Sequence, residues 1–73
     1  MARSLVPPWR QVADDLRRRI GSGEFPPGAM LPSLNALSEH YQVGRTTARK
    51  AVGALRDEGI VETVRGWGVF VRE

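Results

Sequence analysis

No cysteine occurs in the 73 residues. That excludes disulfides and thiolate metal sites, and leaves a small domain to stand on its apolar core alone. The one histidine, His40, cannot assemble a zinc site, which takes about four N, S or O ligands. No metal or other cofactor is therefore expected. No apolar run approaches the roughly 18 residues that a membrane span needs, so no membrane partner is expected either. No Cys/His or Ser/His/Asp set is visible. His40, beside Glu39 near a helix end, reads as a surface residue, and the chain does not read as an enzyme. Aromatic residues are only 7% of the chain and form no platform for unstacked bases, which argues against RNA. The first eight residues, Met1 to Pro8, carry one positive charge and no long apolar core. They read as a flexible N-terminal arm and not as a signal peptide, with residues 9–73 forming the domain. The lack of cysteine fits a reducing cytoplasm.

What the chain has is arginine. The net charge is only +3, and every basic residue except Lys50 is an arginine. Placement says more than number, because a GC-rich genome also favours arginine codons. Between Arg45 and Arg56 stand four cations, Arg45, Arg49, Lys50 and Arg56, and no acid. An arginine offers a planar fork for guanine edges and phosphates that a lysine does not.

Three helices and a hairpin follow from the pattern, an α+β fold that is mostly α. Trp9, Val12, Ala13, Leu16 and Ile20 recur at helical spacing, after Pro8 in the first turn and before Gly21 and Gly23. Two prolines and a glycine, Pro26-Pro27-Gly28, then force a rigid turn. Met30 and Leu31 form a short strand before Pro32, with Phe25 and Leu31 as core plugs. Ser33 suits an N-cap, and the second helix carries Leu34, Leu37 and Tyr41 to about Gln42. Val43-Gly44 makes a tight connection, with the glycine supplying any left-handed backbone. A third helix runs from Arg45 to Glu58, with Ala48, Ala51, Val52 and Leu55 on one side at about 100° per residue. Arg45, Thr46, Arg49, Lys50, Gly53 and Arg56 fall on the other, and Gly59 ends the helix. Ile60–Val64 and Val69–Val71 are β-branched and aromatic, joined by Arg65-Gly66-Trp67-Gly68.

Two short helices joined by a glycine-containing turn make a helix-turn-helix. The second of them fits a major groove only if its front is free of core contacts, as here. Its N-terminus favours phosphate, with Thr46 and Thr47 able to bond phosphate oxygens. Arg49, one turn on, is best placed for a base edge. The hairpin is a wing, whose Arg65 can reach a minor groove while Gly66 and Gly68 let the backbone approach phosphates. Trp67 at the tip is expected to fold back or meet a partner and not to stack on DNA.

In combination these motifs resemble the N-terminal domain of GntR-type bacterial transcriptional regulators. The stretches that carry the resemblance are Gly23 to Gly28 with Leu31-Pro32-Ser33, Val43 to Val52 with Leu55 and Glu58 to Val61, and Arg65 to Val71. The resemblance implies a winged helix-turn-helix that binds a palindromic double-stranded operator, usually as a homodimer and usually to repress. It implies DNA contacts at Arg45, Thr46 and Arg49, at Arg65 and Gly66, and near Ser33. The family's usual Glu-Arg after that serine is Leu34-Asn35 here. Asn35 can still hydrogen-bond but brings no charge. Its usual serine or threonine before Arg45 is Gly44. The family's larger C-terminal effector domain is not expected within these 73 residues, and no effector ligand is expected to bind them. The candidate site is thus Ser33, Asn35, Arg45, Thr46, Thr47, Arg49, Lys50, Arg65 and Gly66. The rival reading is a winged-helix protein-interaction module. Such modules often lose the basic face that this third helix keeps.

Overall fold

The computed structural model describes residues 6–72, and most of the arm expected at 1–8 lies outside them. Helix α1 spans Pro8–Gly21. Proline costs nothing at its first position, where an N–H has no helical partner, and the Pro7 carbonyl accepts from the N–H groups of Arg10 and Gln11 at 3.0 and 3.1 Å. The apolar stripe buries Val12, Ala13 and Leu16. Past the end, Gly23 adopts φ 90, and the N–H groups of Ser22, Gly23 and Glu24 close on the carbonyls of Arg18, Ile20 and Arg19. Those carbonyls are the acceptors a helix end otherwise leaves open.

The Pro-Pro-Gly segment leads to a single antiparallel bridge, Met30 to Phe70, in place of a full strand. Helix α2 spans Leu34–Tyr41, and the Ser33 hydroxyl accepts from the Ala36 N–H at 3.1 Å. Helix α3 spans Arg45–Asp57, and strands β1, Val61–Val64, and β2, Gly68–Val71, pair antiparallel with Val61 opposite Val71 and Val64 opposite Gly68. The loop between the strands is therefore Arg65, Gly66 and Trp67. Gly66 has φ 82, and the Trp67 N–H donates to the Val64 carbonyl at 2.9 Å. A turn of this kind needs positive φ at its third residue, which glycine gives without a steric penalty.

The core lies where α1, α2 and the hairpin meet the back of α3. Leu16, Leu37, Leu55 and Val61 are its largest fully enclosed side chains, and Ala48 and Ala51 are completely covered. Burying each leucine contributes about 2 kcal/mol, while the two alanines let neighbouring backbones come close to α3. Leu31 plugs the core as expected, at 4% exposure. Phe25 is half-buried against it.

The connection between α2 and α3 corrects one expectation. The left-handed residue is Gln42, at φ 56 and ψ 49, and Gly44 is extended at φ −71 and ψ 161. Gln42 carries that conformation because its amide Nε2 donates to the Glu39 carbonyl at 2.7 Å. The turn is tied further by the Val43 N–H to the Ser38 carbonyl at 3.0 Å, and by the Ser38 hydroxyl to the Val43 carbonyl. Gly44 is thus not required by its backbone angles, and a Cβ there would meet nothing within 4 Å.

Candidate nucleic-acid interface

Helix α3 carries its core residues on one arc and leaves the other open. Arg45, Thr46, Arg49 and Arg56 are exposed there. Gly53 lies between them, and the nearest atom to a Cβ built on it is the Arg56 Nη2 at 3.8 Å, so no bulk stands on that face. No side chain caps the helix start. The first bonded N–H is that of Ala48, to the Gly44 carbonyl at 3.0 Å, and the N–H groups of Arg45, Thr46 and Thr47 precede it. Those groups and the positive end of the helix dipole face the same way.

The other expected residues are distributed unequally. Ser33 and Asn35 are exposed at the start of α2. The Ser33 hydroxyl already accepts a helix N–H, which leaves its proton free to donate. Arg65 and Gly66 are exposed at the wing tip. Thr47 is half-buried, and its position in the helix sets it on the flank away from Arg49. Lys50 turns toward α1, with its ammonium 5.1 Å from the centre of the Trp9 ring. It therefore stands apart from the Arg45–Arg49 arc. Trp67 does not fold back on the sheet and is 76% exposed.

Ion pairing divides the arginines. Arg17 bonds Glu58 through Nε at 3.0 Å and Nη2 at 2.7 Å, and Asp14 through Nη1 at 2.6 Å. This clamps α1 to the end of α3, and the two carboxylates, Glu58 first, raise the Arg17 pKa. Arg18 pairs with Asp15. Arg19 is the most enclosed of the paired arginines. It bonds Glu24 at 2.6 and 3.0 Å and the Tyr41 hydroxyl at 2.9 Å, and it lies 4.7 Å from the centre of the Phe25 ring. Tyr41 in turn donates to Asp15 at 2.6 Å. That hydroxyl, and then Arg18, hold the Asp15 carboxyl below its ordinary range, as Arg19 does for Glu24. Burial and the Asp15 charge push the Tyr41 phenol up. By contrast, Arg45, Arg49, Lys50, Arg56 and Arg65 have no acid within 4.0 Å among the described residues.

A sequence reading could have found the Asp14–Arg17 and Asp15–Arg18 pairs from their spacing of three. The Arg17–Glu58 and Arg19–Tyr41 contacts carry no such signal. Among the described residues no group of three His, Cys, Asp or Glu comes together, and no helix is long and apolar enough to cross a membrane.

The bacterial regulatory proteins of the gntR family match this chain over residues 8–71. The chain belongs to the GntR family. Its curated relatives in the family are transcriptional regulators. The mannosyl-D-glycerate transport/metabolism system repressor MngR of Escherichia coli is 40% identical over 67 residues, covering 92% of this chain and 28% of the repressor. The transcriptional repressor NagR of Bacillus subtilis is 34% identical over 68 residues, covering 93% of this chain and 28% of NagR. The chain thus spans about a quarter of the length of these two GntR relatives. Among solved structures, the DNA-binding domain of AraR in complex with operator ORX1 superposes with a TM-score of 0.90 at 32% identity, over 97% of this chain and 86% of that one. The three helices and the wing are therefore the winged helix-turn-helix of GntR DNA-binding domains.

Proposed function

We propose that this domain binds double-stranded DNA sequence-specifically, as the operator-reading part of a cytoplasmic bacterial transcriptional regulator that represses. The observation that carries this reading is the arc of Arg45, Thr46 and Arg49, exposed, without acidic partners among the described residues and beside an uncapped helix start. In this reading α3 lies in the major groove. Arg49 reads a base edge, and Arg45 and Thr46 hold phosphate with the free N–H groups. Thr47 supports them from the flank through its N–H, and Lys50 adds charge at the α1 side. Ser33 and Asn35 meet the backbone, with Asn35 supplying a neutral amide. Arg65 and Gly66 enter the adjacent minor groove, where negative potential draws arginine. The operator is a palindrome, met by two copies on one duplex. The domain is no enzyme, and any effector acts elsewhere than on these residues.

Selection of bound sequences from a random duplex pool tests this. A recovered palindrome gives the site, its symmetry and its half-site spacing at once. Binding to that duplex should weaken steeply as salt rises, through release of counterions from phosphates. An affinity that stays level from low to high salt would sink the reading.

A further inference from the structure

Trp67 and Met30 are unused by the contacts above, yet they are the two most exposed large apolar side chains of the described residues, at 76% and 57%. They line one apolar cleft of about 330 Å³ with Ser33, Val52 and Val69. The cleft therefore runs from the start of α2, past the side of α3, to the wing. Its wing side is built to hold shape. Gly66 and Gly68 have φ 82 and 135, and the Trp67 N–H between them is bonded to Val64. A Cβ at Gly68 would lie 3.2 Å from the Met30 Sδ, so glycine there is what lets Met30 sit against the strand. Trp67 is thus presented by a fixed turn. An indole has only two side-chain torsions to immobilise when it docks, so a contact there costs little entropy.

Charge selects the occupant. Arg65 is two residues from Trp67, and Arg45, Arg49 and Arg56 flank Val52 around α3. None of them has an acidic partner among the described residues, and no acid lines the cleft. An apolar protein knob would enter a field of uncompensated arginines. A duplex brings apolar deoxyribose faces flanked by phosphates, which matches both properties. We propose that Trp67 packs its indole on the deoxyribose wall of the minor groove that Arg65 enters, giving the wing an apolar contact beside its electrostatic one. This rests on the DNA-binding reading above, and it departs from the expectation that the ring folds back or meets a partner.

The test uses the full chain and the duplex recovered from the pool. Fluorine NMR of 5-fluorotryptophan-labelled protein gives a Trp67 resonance, assigned by its loss in Trp67→Phe. Its solvent-isotope shift between H2O and D2O should shrink in the saturated complex. Trp67→Ala should weaken binding about tenfold, a scale set by buried aromatic contacts. Its slope of log affinity against log salt should match the unsubstituted chain, because an indole neutralises no phosphate. Arg65→Ala should instead flatten that slope by about one. A Trp67 resonance equally solvent-exposed in free and bound protein overturns the proposal, and so does Trp67→Ala with undiminished affinity. If Trp67→Ala spares a single half-site but removes the second copy from the palindrome, the ring meets protein and the proposal falls. A pool that yields no preferred duplex sinks the DNA reading and this inference together. A bound duplex with an exposed Trp67 sinks only the inference.

Discussion

The arginines at the end of α1 and those of α3 and the wing have the same chemistry and opposite fates. Arg17, Arg18 and Arg19 are each tied to an acid, and Arg19 also to a tyrosine. Arg45, Arg49, Arg56 and Arg65 are tied to none of the described acids. The modest net charge of +3 therefore hides a sorted surface. Asp14, Asp15, Glu24 and Glu58 neutralise the side that joins helices, and cations without an acid among the described residues stand on the α3 arc, on the wing loop and at Arg10. The first group of arginines serves the fold, and the second is left for a polyanion.

This contrast breaks cleanly if an arginine from each side is removed. Arg49→Ala should weaken binding to the selected duplex by about 1–3 kcal/mol and relax base preference at one position per half-site. Its urea unfolding free energy should stay within about 0.5 kcal/mol of the parent. Uniform weakening across all sequences would make Arg49 a phosphate contact. Arg19→Ala should do the reverse. Losing its bonds to Glu24 and Tyr41 should cost about 1–2 kcal/mol of stability by urea unfolding, with duplex affinity kept wherever the domain is folded. An Arg19→Ala protein of full stability and poor affinity would erase the division.

The paired side also has a pH signature. The folded pKa of Asp15 is depressed, so its contribution is present above the unfolded value near 4 and is lost as pH falls through the folded one. Tyr41→Phe removes the largest cause of that depression. At pH 7 it should cost about 1 kcal/mol, and the gap to the parent should narrow in unfolding measured near pH 2.5. A gap of constant size would mean that Tyr41 acts by packing alone. The smallest effect concerns the open side. Gly44→Ser adds a cap at a position with free space around its Cβ, and should stabilise by a few tenths of a kcal/mol. Loss of stability would mean that the extended backbone at Gly44 depends on glycine after all.

Sequence periodicity alone located α3, because Ala48, Ala51, Val52 and Leu55 form a stripe that only a helix makes. It gave the helix end to within one residue, at Glu58 against Asp57. The wing was legible from its two β-branched runs and the glycines between them. The turn before α3 was misassigned at Gln42, because a side-chain to backbone bond can steady a left-handed residue where propensity points to glycine. The direction of Lys50 was not legible either. It depends on the start of α1 coming close enough to offer the Trp9 ring, a contact between residues 41 positions apart. Long-range ion pairs such as Arg17–Glu58 are hidden for the same reason, since they follow from helix crossing and not from spacing.

The bridge at Met30 gives β2 two neighbours. β1 pairs along one side. On the other, the Val71 N–H donates to the Ala29 carbonyl, the Leu31 N–H to the Val69 carbonyl and the Gly28 N–H to the Val71 carbonyl, each at 2.8 Å. The Arg72 N–H adds a further tie to the Ile60 carbonyl at 3.0 Å. The amides of the wing therefore fall into two kinetic classes. Those along β2 open to solvent only when the sheet and the loop before α2 part together. Those of Arg65 and Gly66 open on their own. The wing does not swing as a hinged arm. It has the stiffness of the domain at its base, and the Trp67 N–H bond to the Val64 carbonyl carries that order into the tip.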